Sequence, residues 1–122
     1  MDTSFNALVV AEERETQGGL RKALAHLGCF AECVESMDAA MGKLAGGAMY
    51  NLVFASLCLR DSGARKLSRW LMMNRPESSF VLVTGWQGGL DGEFLGREGI
   101  SGVVHKPLIF NEIRDTVLEH LG

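Results

Sequence analysis

Three apolar runs, at residues 7–10, 52–55 and 80–83, contain no polar residue at all, and a shorter one covers 103–104. A strand with one wet face alternates between apolar and polar. Unbroken runs of this length instead suit strands covered on both faces, as in a parallel sheet. A weaker, alternating run covers 30–34. Parallel strands need crossover connections rather than tight hairpins, and the intervening segments have helical spacing. Leu20, Ala23, Leu24 and Leu27 follow the i, i+3, i+4, i+7 pattern, with Gly28 as a natural stop. Ala40, Met41 and Leu44 form a second stripe, Leu67, Trp70 and Leu71 a third, and Ile113, Val117 and Leu121 a fifth with Asn111 as its expected N-cap. The fourth helical segment is crowded by Gly88, Gly89, Gly92, Gly96 and Gly99. Each glycine inside a helix costs up to about 1 kcal/mol relative to alanine, so this helix is expected to be short or mobile.

Five strand–helix units of this length predict an α/β fold, a doubly wound flavodoxin-like (βα)5 sandwich around a parallel five-stranded sheet. Right-handed crossovers restrict the strand order and favour 2-1-3-4-5. In that order the C-terminal ends of the first and third strands flank a crevice. Glu12, Ser56, Thr84 and Lys106 all stand at or just after strand ends and are expected to converge there.

The 122 residues fit one domain with a real core, and 47% apolar content places the chain among globular proteins. No apolar run approaches the roughly 20 residues that span a bilayer. The net charge of -3 without a basic cluster argues against direct nucleic-acid binding. The start, Met1-Asp2-Thr3-Ser4, has no signal-peptide pattern. With an odd set of cysteines, Cys29, Cys33 and Cys58, it points to reduced thiols and a cytoplasmic location. Cys29 and Cys33 flank or lie in a strand, where four residues span about 13 Å. They are therefore read as small packed side chains rather than as metal ligands or a disulfide.

The strand-end residues, taken with their flanks, resemble the receiver domain of bacterial response regulators along essentially the whole chain. Leu8-Val9-Val10-Ala11-Glu12-Glu13 is similar to the family's first strand and acidic pair. Asn51-Leu52-Val53-Phe54-Ala55-Ser56 is similar to the strand that ends in the phosphoacceptor aspartate, and Leu57-Cys58-Leu59-Arg60-Asp61-Ser62-Gly63 to the loop after it. Val81-Leu82-Val83-Thr84-Gly85 is similar to the strand ending in a hydroxyl residue. Residues 99–107, ending in His105-Lys106-Pro107, resemble the last strand with its lysine and cis proline, which makes Pro107 the cis candidate. The departures bear on function. The family's chemistry requires a carboxylate nucleophile and a magnesium ion held by carboxylates, a carbonyl and water. Here Ser56 stands at the acceptor position and Ala11 at the first acidic position, leaving Glu12 in register. No metal, no cofactor and no catalytic set is expected, and hence no phosphotransfer. Val103 stands where the family carries a switching aromatic, and Arg60 where the loop carries a proline.

The resemblance then implies a degenerate receiver, or pseudo-receiver: a phosphorylation-independent docking or dimerisation module in the N-terminal part of a larger signalling or transcription regulator. Its expected contact face is that of the fourth helix, fifth strand and fifth helix, with Phe94, Leu95, His105, Ile109, Arg114 and Leu118 as interface candidates. In the crevice, a Lys106–Glu12 salt bridge is expected. Thr84 is read as a local hydrogen-bonding residue and Ser56 as a polar strand end. His26, His105 and His120 are read as surface residues, Met72 and Met73 as packing, and Trp86 as a loop residue partly covered by the fourth helix. The alternative is a working phosphoacceptor that uses Asp61 or Glu12. A flavin enzyme on the same fold is disfavoured, because Glu12, Glu13 and Glu15 stand where a phosphate cradle needs backbone amides and hydroxyls.

Overall fold

The computed structural model describes residues 5–56, 62–85 and 92–121. Strands and helices alternate along the chain. They are β1 (Asn6–Ala11), α1 (Arg14–His26), β2 (Phe30–Val34), α2 (Met37–Ala45), β3 (Leu52–Ser56), α3 (Ser62–Asn74), β4 (Ser79–Thr84), α4 (Gly92–Arg97), β5 (Ile100–His105) and α5 (Phe110–Leu121). The five strands form one parallel sheet in the order β2-β1-β3-β4-β5. This is the flavodoxin-like arrangement expected from the apolar runs.

Position in the sheet explains why some strands are unbroken apolar runs and others are not. In β1, β3 and β4 the residues from Ala7 to Ala11, Leu52 to Ala55 and Phe80 to Val83 are buried. These central strands are covered on both faces. The edge strands β2 and β5 bury only one or two residues fully, and Phe30 is 69% exposed. Alternate side chains of each strand enter opposite layers. Val9, Phe54 and Val81 meet Leu20 and Leu24 of α1 and Ile113 and Val117 of α5 in one layer. Leu8, Val53 and Leu82 meet Leu44 of α2 and Leu67 and Leu71 of α3 in the other. Each fully buried side chain of this size contributes roughly 1.5–3 kcal/mol of transfer free energy.

The helix ends follow local chemistry. Gly28 adopts φ 78° just past α1, a left-handed conformation that a Cβ disfavours, and its amide donates to Ala25. Ser36 caps α2 by accepting from the Ala39 amide. The glycine-rich segment yields a short α4 of six residues.

Two sequence expectations are corrected. Asn111 does not cap α5: the Ile109 carbonyl already accepts from the amides of Glu112 and Ile113, so the helix begins two residues earlier than an Asn111 cap requires. Met72 and Met73 are not core residues, although Met72 lies against Gly99. They are 46% and 80% exposed, because Leu67 and Leu71 take the core-facing stripe of α3 and the next two positions rotate away from it. Trp70 is half-buried beside that stripe, with the Arg75 guanidinium 5.6 Å from its ring centre.

Candidate functional site

The order of the sheet reverses between β1 and β3, and their C-terminal ends lie side by side. Ala11 is the direct neighbour of Ser56 across the ladder. Ala11 is fully buried and apolar, while Ser56 is partly open. Thr84 closes β4 opposite His105, and the Lys106 amide donates to the Thr84 carbonyl at 2.9 Å. The Lys106–Pro107 peptide bond is cis, as the His105-Lys106-Pro107 pattern implied. Ala11, Glu12, Ser56, Thr84 and Lys106 therefore stand at one end of the sheet, around the switch point.

The expected ion pair forms with a different carboxylate. The Lys106 ammonium donates to Glu13, not Glu12, at 2.9 Å. Glu13 occupies the N-cap position of α1 with an extended backbone, φ -84° and ψ 128°. Its side chain is fixed a second time by the Thr16 hydroxyl, three residues on, which donates to the same oxygen at 3.0 Å. Successive side chains on extended backbone point in opposite directions, and Glu12 is left exposed. The Lys106 and Thr16 hydrogen bonds, and then the charge of Lys106, hold the Glu13 carboxyl below its ordinary value. Gln17 completes the arrangement: its side-chain amide donates to the Ala11 carbonyl at 2.6 Å, tying α1 to the end of β1. The sequence reading missed Glu13, Thr16 and Gln17 as site residues. The available signal was an acid three residues before a threonine at a helix start, a hydrogen-bonding spacing.

Chemically, the described residues make a poor cage for a hard divalent cation, which takes several oxygen ligands with more than one carboxylate in a site of this type. The β1 end offers a methyl group at Ala11, the β3 end a hydroxyl at Ser56, and the Glu13 carboxylate is already held by an ammonium. Among the described residues, no group of three or more His, Cys, Asp or Glu side chains could hold a metal ion. Cys58, Arg60 and Asp61 lie outside the described residues, as do Trp86 and the side chain of Phe94.

The expected interface residues are not on one surface. Leu95 is half-buried and packs on the core below α4. His105 is exposed at the end of β5, its ring 2.7 Å from Glu112, which also accepts from the His105 amide. Ile109 and Leu118 are 59% and 53% exposed, and Arg114 pairs with its neighbour Asp115 at 3.2 Å. On α5, Arg114 and Leu118 follow Phe110 at i+4 and i+8, so they share its face. Phe110 meets His26 of α1 edge to face, with ring centres 6.1 Å apart. These α5 residues therefore turn toward α1, whereas Glu112 turns toward β5.

Neither a family model nor a curated protein matches the sequence. Solved structures do match. A response regulator receiver domain (CheY-like) from Methylobacillus flagellatus superposes with a TM-score of 0.80 at 25% identity, covering 97% of this chain and 99% of that one. The chain has the receiver fold. The signal receiver domain of a LuxO repressor protein from Vibrio parahaemolyticus superposes at 0.82, with 18% identity over 98% of this chain and 91% of its own. An uncharacterized protein from Neptuniibacter caesariensis does so at 0.84, with 19% identity over 98% and 90%. The receiver fold thus accounts for nearly the full length of the neighbours as well as of this chain. No helix among the described residues is long and apolar enough to cross a membrane.

Proposed function

We propose that this domain is a signal-transduction receiver that works without phosphorylation, as a pseudo-receiver that docks a protein partner or a second copy of itself to control an output module in the cytoplasm. The observation that carries this reading is the pairing of Ala11 with Ser56 at the switch point. The two strand ends that flank the crevice present a methyl group and a hydroxyl, neither of which forms an acyl phosphate or holds magnesium through charge. Lys106, whose counterpart in the resembling family meets phosphate, is instead paired to Glu13. An ammonium already neutralised by a neighbouring carboxylate attracts an incoming anion less strongly.

Incubation with magnesium and acetyl phosphate, followed by intact-mass measurement, tests the reading. The expected result is an unmodified chain, with no magnesium-dependent change in tryptophan fluorescence. A stoichiometric phosphate adduct overturns it, and peptide mapping then decides whether Glu12, Asp61 or another acid accepts the group.

A further inference from the structure

Gly19, Lys22, Ala23 and His26 stand at i, i+3, i+4 and i+7 along α1 and so share one face of that helix. With Leu108, Phe110 and Ile113 they line an open cavity of about 440 Å³ between α1 and the start of α5. That volume lies in the range of small-molecule sites. Ala23 and Ile113 are buried at its base, and Phe110, which borders the space, is 41% exposed. Leu108 sits close against α1 only because position 19 has no side chain: a Cβ there would stand 2.8 Å from the Leu108 Cδ1.

The polar side chains of this lining are of one kind. Lys22 and His26, both exposed on α1, bring N–H donors to the rim, and among the described residues no carboxylate lines the cavity. The nearby acids are committed elsewhere. Glu13 pairs with Lys106, Glu112 with His105, and Asp115 with Arg114. Glu15 lines the neighbouring cleft with Thr16 and Lys106, and the Gly19–Leu108 contact divides the two spaces. Glu119, nine residues after Phe110, stands on the opposite side of α5. Lys22 makes no ion pair among the described residues. A cation without a counterion above an apolar base selects a ligand that is anionic at one end and apolar at the other.

From this arrangement we infer that the cavity between α1 and α5 is a binding site for a small aromatic carboxylate, its ring lying on Leu108, Phe110 and Ile113 and its carboxylate held by the Lys22 ammonium and a His26 ring N–H. Phe110 offers an aromatic body a partner for edge-to-face or offset stacking. A phosphate-bearing ligand fits less well, because phosphate is held best by guanidinium forks and no arginine lines the cavity. Neither Ser56 nor Thr84 borders this space. The inference therefore goes beyond the docking reading and does not depend on the strand-end crevice being inert.

The probe is 2-naphthoate, and 2-naphthylmethanol, with the same ring system and no charge, is its control. In amide-detected NMR titrations of the whole chain, 2-naphthoate should bind with a dissociation constant below about 1 mM, with shifts concentrated at residues 19–26 and 108–113. The alcohol should bind roughly tenfold more weakly, through loss of hydrogen bonds between charged groups. Lys22→Glu, at an exposed position, should weaken 2-naphthoate roughly tenfold, leave the alcohol unaffected and keep the thermal midpoint in place. Lys22→Arg, which keeps the charge, should bind as wild type does. Gly19→Ala displaces Leu108 within the lining and should weaken both probes alike. The inference is overturned by an absence of saturable shifts, by shifts centred instead on Glu13, Thr16 and Lys106, by equal affinity for the two probes, or by a Lys22→Glu chain that binds 2-naphthoate undiminished. A folded Gly19→Ala chain of wild-type affinity overturns it too; should that variant not fold, the Lys22 variants decide. A phosphate adduct in the intact-mass experiment removes the docking reading and leaves this site untouched.

Discussion

The Lys106 ammonium donates to the Glu13 carboxylate at 2.9 Å, joining residues 93 positions apart at the open end of the sheet. Neither residue is deeply buried. The lysine side chain is 30% exposed and the glutamate 65%, so the pair acts by placing charge more than by adding stability. It fixes the start of α1 against the turn after β5, and it replaces a cation open to anions with a neutral pair.

Replacing Lys106 by methionine tests how far this pair sets the local charge. The Glu13 carboxyl lies below its ordinary value chiefly because of the Lys106 hydrogen bond, then that of Thr16, then the Lys106 charge. In Lys106→Met the Glu13 midpoint should rise toward 4.5, its ordinary value, and remain slightly low through Thr16. Carbon-detected NMR titration of the carboxyl reads this directly. The wild-type pair is intact above the ordinary carboxylate range and is lost as pH falls through the depressed folded value. The two proteins should therefore converge in behaviour under acid. An unchanged Glu13 midpoint refutes this account.

A second charged cluster sits on the opposite layer. Glu32 of β2 accepts from the Tyr50 hydroxyl at 2.6 Å and pairs with Lys43 of α2. Lys43 and then Tyr50 hold the Glu32 carboxyl below its ordinary value, while burial and then Glu32 push the Tyr50 phenol up. The Glu32 contribution is full above about pH 4.5 and is lost as pH falls through the folded value. The phenol adds no dependence below about pH 10. Glu32→Gln should thus be less stable than wild type at pH 7 and equal to it near pH 3. Tyr50→Phe should cost about 1.5 kcal/mol at pH 7, the low end for a hydrogen bond to a charged group, because the Glu32 carboxylate is partly open to water. Urea denaturation across this pH range gives both values.

The central strands were legible because burial on both faces leaves no polar residue in 7–10, 52–55 or 80–83. Edge position hid β5, where Ile100 through His105 form a strand but only Val103 and Val104 read as one. The strand-end constellation could be read from position alone, since a residue after a parallel strand must lie at one end of the sheet. The choice between Glu12 and Glu13 could not, because it depends on which side chain α1 turns inward and on the Thr16 hydroxyl that holds it. Helical periodicity placed Leu67 and Leu71 correctly in the core. The same periodicity turns Met72 and Met73 away from that stripe, so their exposure was legible from spacing although the pair was read as packing.

Phe30 and Phe54 are both phenylalanines in parallel strands, and the sheet order separates them. Phe54 is fully buried in the central β3, while Phe30 is 69% exposed at the start of the edge strand β2. Phe54→Ala should cost about 3–5 kcal/mol through lost burial and the cavity left behind. Phe30→Ala should stay within about 0.5 kcal/mol of wild type. Chemical denaturation of the two variants measures the difference. Comparable losses would show that β2 is not the edge.

Gly28 and Gly99 share a left-handed backbone, with φ of 78° and 77°, but not the same surroundings. A Cβ on Gly28 would have open space. On Gly99 it would stand 3.2 Å from the Ser68 carbonyl oxygen and 3.4 Å from the Met72 sulfur. The methionine can rotate away, but the carbonyl belongs to the α3 backbone and cannot. Gly28→Ala should therefore cost only the backbone strain, roughly 1–2 kcal/mol. Gly99→Ala should add a packing penalty of about 1–3 kcal/mol. Because Gly99 joins α4 to β5, the excess loss should appear as faster amide hydrogen exchange in α3 and β5, while β1 and β2 keep their protection. Equal losses for the two substitutions would mean that α3 yields to the added methyl group, and would place the constraint at this junction in the dihedral angle alone.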